Sequence, residues 1–89
     1  MNKISKDIII NNKFGLHARP AAMIAAFALK AKSDVWIIRD NKRVDASSIV
    51  DILTLACSPG TKIKLEIDNP RDRDVLDHIT ELIGKNFEE

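Results

Sequence analysis

The chain has 89 residues, a net charge of +1, 45% hydrophobic residues and one cysteine. That length holds one modest core, since a chain of this size buries only roughly 60–65% of its unfolded surface; residues 1–89 are expected to form a single domain with its chemistry on the surface, because an enclosed pocket would consume the core. The neutral balance, with no tyrosine and only Trp36 and three phenylalanines, argues against nucleic acid, which asks for a basic stripe and stacking platforms.

Residues 4–10 contain Ile8-Ile9-Ile10 and read as a first strand. A loop follows over residues 11–16, with Gly15 free to take an unusual backbone angle. From residue 18 to about 30 the composition turns to Ala, Met, Leu and Phe, a helix composition. Met23, Phe27 and Ala31, with Ile24 and Ala28 beside them, make one apolar stripe. Pro20 fits only in the first turn, so this helix must start at about His17 or Ala18. Residues 35–39 form a strand, Asp40-Asn41-Lys42 turns, and Arg43-Val44-Asp45 begins a short return strand. A short helix spans about 49–56, with Ile49, Ile52 and Leu53 on one side. Residues 61–68 alternate Ile63, Leu65 and Ile67 against Lys62, Lys64 and Glu66, a half-buried strand. Asn69 caps a third helix with Pro70 at its first position. It runs to about residue 86, with Val75, Leu76, Ile79, Leu82 and Ile83 inward. The order β-α-β-β-α-β-α implies an α+β domain: a four-stranded antiparallel sheet with three helices packed on one face.

Chemistry concentrates in Gly15-Leu16-His17-Ala18-Arg19-Pro20-Ala21. Pro20 pins the helix start, which puts His17 at or next to the N-cap. The first N–H groups of a helix lack internal partners and carry about half a positive charge, a ready anion site. Arg19 adds a permanent charge and a planar fork that fits phosphate. An imidazole is a competent nucleophile near neutral pH. Together these groups could hold a phosphoryl group on His17. The bland alternative is a surface histidine at a helix cap.

The segment Gly15-Leu16-His17-Ala18-Arg19-Pro20-Ala21-Ala22 closely resembles the active-site signature of the histidine-containing phosphocarrier protein (HPr) family. These are carriers of the bacterial phosphoenolpyruvate-dependent sugar phosphotransferase system. The resemblance extends over the whole chain through length, element order and a second signature. It implies that His17 accepts a phosphoryl group on Nδ1 from phosphorylated enzyme I and passes it to an enzyme IIA protein. Arg19 and the backbone N–H groups of Ala18 and Arg19 would neutralise the phosphate. The resemblance requires neither a cofactor nor a metal.

The second signature is Val44-Asp45-Ala46-Ser47-Ser48-Ile49. Read locally, Ser48-x-x-Asp51 ahead of an apolar run is a capping box, with Ser48 as N-cap and Asp51 at the third helical position. In the family the serine matching Ser48 caps the second helix, and in some bacteria an HPr kinase/phosphorylase modifies it. Asp51 stands where the family usually has glycine or lysine. Its carboxylate would repel a phosphate on Ser48 and adds negative charge to the face that meets enzyme I. The resemblance also places partner contacts at Leu16, Ile49, Val50 and Leu53. Periodicity leaves Ile49 and Leu53 open between core and contact, while Val50 faces away from the core.

His78 reads as a surface or boundary histidine and Cys57 as a small buried or half-buried residue. A single cysteine excludes an internal disulfide and disfavours zinc, and the aspartates show no metal spacing. No apolar run approaches the ~20 residues that span a bilayer, and residues 1–7 lack a signal peptide's apolar stretch. A cytoplasmic monomer is the expectation. Two rivals to sugar transport stand beside it. One is a regulatory adaptor of the same fold, in a nitrogen-type branch or read through Ser48. The other, from a different class, is a small RNA- or metabolite-binding module in which His17 is incidental.

Overall fold

The computed structural model describes residues 3–88. It contains β1 (Ile4–Ile10), α1 (Ala18–Ala28), β2 (Val35–Arg39), β3 (Lys42–Asp45), α2 (Ile49–Thr54), β4 (Thr61–Ile67) and α3 (Arg73–Gly84), with a 3₁₀ turn over Pro70–Asp72 leading into α3. Residues 1, 2 and 89, which the reading of the N-terminus and of a 1–89 domain also covers, lie outside the described residues. The strands form one sheet in the order β1-β4-β2-β3, every neighbouring pair antiparallel.

The alternation in β4 organises the layers. Ile63, Leu65 and Ile67 are buried while Lys62 and Lys64 are exposed, as a period of two requires when one face packs and the other is wet. In register beside them, Ile4 pairs with Ile67 and Ile10 with Thr61 on one side, and Ile37 with Leu65 on the other. Ile24 and Ala28 of α1, Ile52 of α2, and Leu76, Ile79 and Ile83 of α3 close the same core from above. Each large aliphatic side chain so buried contributes roughly 1.5–3 kcal/mol. On the opposite face the Arg43 guanidinium stacks over Trp36, 4.2 Å from the ring centre, and stands 3.1 Å from Glu66 Oε2. The indole N–H of Trp36 donates to Asp68 Oδ2 at 3.2 Å.

The helices are shorter than the sequence pattern predicts, and each end coincides with a contact or a backbone turn. α1 stops at Ala28, not near residue 30. Just beyond it, the backbone N–H groups of Lys32 and Ser33 donate to the two carboxylate oxygens of buried Asp72, at 2.8 and 3.0 Å. α3 stops at Gly84; Asn86, Phe87 and Glu88 take positive φ, which turns Phe87 into the core. α2 stops at Thr54, with Ala56 at φ 52°. Its last carbonyls are held by the β2–β3 hairpin: Arg39 donates to Leu55 O at 2.7 Å and Ala56 O at 2.9 Å, and Lys42 donates to Thr54 O at 3.1 Å. Cations at this pole of a helix satisfy both the orphan carbonyls and the dipole. The expected apolar side of α2 shrinks to one residue. Ile52 is fully buried, but Ile49 and Leu53 remain 41% and 39% exposed, because so short a helix turns only one position squarely to the sheet.

Candidate phosphoryl-accepting site

The loop between β1 and α1 is built from inside. The Asn12 side chain is buried, and its Nδ2 donates to the Gly15 carbonyl at 2.7 Å. The same carbonyl accepts the His17 N–H at 3.0 Å, and the Gly15 N–H donates to Asn12 O at 3.2 Å. Gly15 has φ +68°, and a β-carbon there would collide with the Cys57 carbonyl oxygen and stand 3.0 Å from Ser58 Cα. Glycine is therefore required twice, for the left-handed angle and for the close approach. The next N–H, that of Leu16, donates to the same Cys57 oxygen at 2.9 Å. This fastening turns the Leu16 side chain inward, where it is 4% exposed. Leu16 is thus a core residue; the exposed contact predicted for it is corrected.

His17 is the N-cap of α1, with φ −83° and ψ −172°, and its side chain makes no capping bond. Its carbonyl accepts the Ala21 N–H at 3.0 Å, the first bond of the helix. The N–H groups of Ala18 and Arg19 stand at the first two helical positions, where the helix offers them no acceptor. Pro20 has no N–H to offer, and no acidic residue occupies the first turn. His17 is half-buried and Arg19 exposed. Both line a shallow depression of about 600 Å³, completed by Asn11, Asn12, Lys13, Phe14 and Asn86. Among the described residues that line it are two permanent cations and no carboxylate, a balance that favours an anion. The Phe14 ring meets the imidazole edge-on, 5.8 Å between centres and 89° between planes, and Lys13 Nζ lies 5.3 Å from the centre of the Phe14 ring.

The sequence reading placed His17 and Arg19 together but missed Asn12, Phe14 and Asn86. An aromatic residue directly after the polar run Asn11-Asn12-Lys13 was a usable signal for Phe14. Nothing local marks Asn86, which arrives from the far end of the chain.

At α2, Ser48 is the N-cap and its Oγ accepts the Asp51 N–H at 3.2 Å. The reciprocal half of the capping box is replaced: the Ser48 N–H donates to Asp45 O at 3.1 Å. Ser47 is engaged separately, its N–H and hydroxyl both donating to Asp45 Oδ1. Val50 is 70% exposed, forming with Ile49 and Leu53 an apolar surface on α2, which packs beside α1. Cys57 is buried; burial pushes its thiol pKa up, and the nearby Arg39 charge partly counters this. His78 is exposed, its ring 5.5 Å from that of Phe27. Among the described residues, no three His, Cys, Asp or Glu side chains gather to hold a metal ion, and no helix is long and apolar enough to cross a membrane.

Fold and site together define a small open-faced α+β sandwich that presents a histidine, at a helix start, in an anion-favouring depression. The family model described as the PTS HPr component phosphorylation site matches residues 4–85. The chain belongs to this family, the HPr phosphocarriers of the phosphotransferase system. It is 36% identical over 86 residues to the phosphocarrier protein HPr of Neisseria meningitidis serogroup A, covering 97% of each chain. It is 33% identical over 76 residues to the HPr-like protein Crh of Bacillus subtilis, covering 85% of this chain and 89% of that one. Among solved structures, HPr-C-His from Thermoanaerobacter tengcongensis superposes with a TM-score of 0.88 at 38% identity, covering 100% of this chain and 98% of that one.

Proposed function

We propose that His17 accepts a phosphoryl group from phosphorylated enzyme I, originating in phosphoenolpyruvate, and delivers it to an enzyme IIA protein of a sugar phosphotransferase system. The observation that carries this reading is the position of His17 at the N-cap of α1, in a depression that Arg19 and Lys13 also line. In the transfer, the phosphorus–nitrogen bond of the donor breaks and one to the imidazole forms, the ring N–H proton leaving to the donor base or to solvent. Phosphoryl transfer asks little covalent help of a protein beyond position and charge. The N–H groups of Ala18 and Arg19 and the Arg19 guanidinium supply the charge. The shallow opening suits a group that must leave again, since a deep cage would trap it. Ile49, Val50 and Leu53 are the proposed partner contacts, and residues 1–89 act as one monomeric domain.

Incubation with enzyme I and labelled phosphoenolpyruvate tests this. Wild-type protein takes up acid-labile label, and His17→Ala takes up none. Arg19→Ala slows uptake roughly tenfold or more, the size of a lost charge-assisted hydrogen bond of about 1.5–3 kcal/mol. Uptake by His17→Ala equal to wild type overturns the assignment, and no transfer to wild type favours a binding module. Adding enzyme IIA proteins then separates sugar transport from a regulatory adaptor, a second reading favoured by the similarity to Crh, the Bacillus subtilis catabolite repression HPr. Modification of Ser48 by an HPr kinase is the weaker branch of that reading. Its hydroxyl already caps α2, and a phosphate there would meet Asp51. Mass spectrometry after kinase treatment decides it; an unmodified Ser48 removes it.

A further inference from the structure

We infer that Phe14 is a positioning residue for phosphoryl transfer at His17, its ring holding the imidazole in the orientation that presents the reacting nitrogen to the depression; this rests on the reading of His17 as the acceptor. The geometry is specific. The two rings meet at 89° with 5.8 Å between centres, within the range of favourable edge-to-face pairs. Phe14 is 66% exposed, so core packing does not explain a phenylalanine here. Gly15 intervenes between Phe14 and Leu16, and its left-handed angle lets Leu16 enter the core while Phe14 stays on the rim beside the imidazole. Lys13 Nζ, 5.3 Å from the Phe14 ring centre, adds a cation–π contact that steadies the ring.

A perpendicular neighbour opposes rotation of the imidazole about its bond to Cβ. Rotation would carry each ring nitrogen to the place of a ring carbon and turn the reacting nitrogen away from the depression. It would also break the alignment that an in-line displacement needs between the nitrogen, phosphorus and the leaving atom. An aliphatic side chain of similar volume covers the ring but has no perpendicular preference. The distinction is thus between an aromatic residue and any apolar residue.

The test separates positioning from partner docking by using a donor with no protein surface. Phosphoramidate transfers its phosphoryl group directly: its phosphorus–nitrogen bond breaks, ammonia leaves, a phosphorus–nitrogen bond to the imidazole forms, and the displaced ring proton goes to the departing amine. Phe14→Leu is expected to accept phosphate from both phosphoramidate and phosphorylated enzyme I about two- to tenfold more slowly, the equivalent of the 0.5–1.5 kcal/mol preference of an aromatic pair. Its thermal midpoint stays near wild type. The His17 imidazole proton resonances shift as the ring current is lost, and Phe14→Tyr restores both rates and resonances. A wild-type rate with phosphoramidate but a slow rate with enzyme I makes Phe14 a docking contact and overturns the inference. Unmoved imidazole resonances in Phe14→Leu, or failure of Phe14→Tyr to restore the rate, overturn it as well. Label that persists in His17→Ala refutes the acceptor assignment itself, a failure the resonances in unphosphorylated protein distinguish from loss of the ring contact.

Discussion

Gly15→Ala is expected to destabilise the protein far more than the same change at its other left-handed glycine. At Gly15 an alanine meets two penalties. The first is conformational: a β-carbon at φ +68° costs about 1–2 kcal/mol. The second is collision with the Cys57 carbonyl oxygen and close approach to Ser58 Cα, both backbone atoms that cannot rotate away. Relief requires moving the loop off residues 57 and 58, which sacrifices the Leu16 N–H to Cys57 O bond, about 1 kcal/mol. It also partly withdraws the buried Leu16 side chain. The sum is about 3–4 kcal/mol. Gly60 has φ +91° with no atom within 4 Å of an added β-carbon, so Gly60→Ala carries only the conformational penalty of about 1–2 kcal/mol. Urea titration of the three proteins measures the difference, expected at about 2 kcal/mol. In thermal scans it separates the midpoints by roughly 8–16 °C for a domain of this size. The folded fraction of Gly15→Ala is also expected to accept phosphate slowly, because the His17 N–H hangs from the Gly15 carbonyl. Two alanine variants within about 0.5 kcal/mol of each other would refute the claim that backbone collision fixes this loop.

Three further outcomes follow from the packing. Asp72→Ala leaves the Lys32 and Ser33 N–H groups without their acceptor and is expected to cost about 2–4 kcal/mol by urea unfolding; a loss under 1 kcal/mol contradicts it. The raised Cys57 pKa means that the folded chain keeps a thiol proton that the unfolded chain releases. Its stabilising effect is complete below the unfolded thiol range, about 8.5, and is lost as pH rises from there toward the folded value. Cys57→Ala should flatten that part of the stability–pH curve, and an unchanged slope rejects the linkage. Val50→Ser, at a position 70% exposed, should leave stability within about 0.5 kcal/mol while slowing transfer from enzyme I and not from phosphoramidate.

Much of this was legible in the sequence, for reasons that differ by element. The strict alternation from Thr61 to Ile67 admits one strand orientation, and Pro20 confines the start of α1 to His17 or Ala18. Local rules were therefore enough to place β4 and the N-cap histidine. Leu16 was misplaced because its burial depends on Cys57, a residue distant in sequence. The end of α2 was overestimated because the chain turns at Ala56, where Arg39 and Lys42 take the last carbonyls from a hairpin that no helix rule consults. Phe14 escaped because an exposed aromatic residue leaves no periodic trace.

The pairing of β1 with β4 also orders events during synthesis. Ile4 finds its partner only when Ile67 has been made, and Ile10 only when Thr61 has been made. The loop that carries His17 is fastened by the Cys57 carbonyl, and the end of β1 by the Gly60 N–H bond to Ile10 O. A growing chain that has emitted its histidine but not yet these later residues has nothing to set the loop against. Long-range closure of this kind is slow to form and cooperative once formed. The loop that carries His17 therefore takes its shape only after residues 57–67 have been made, and under the proposed function unfinished chains would not compete for phosphoryl groups.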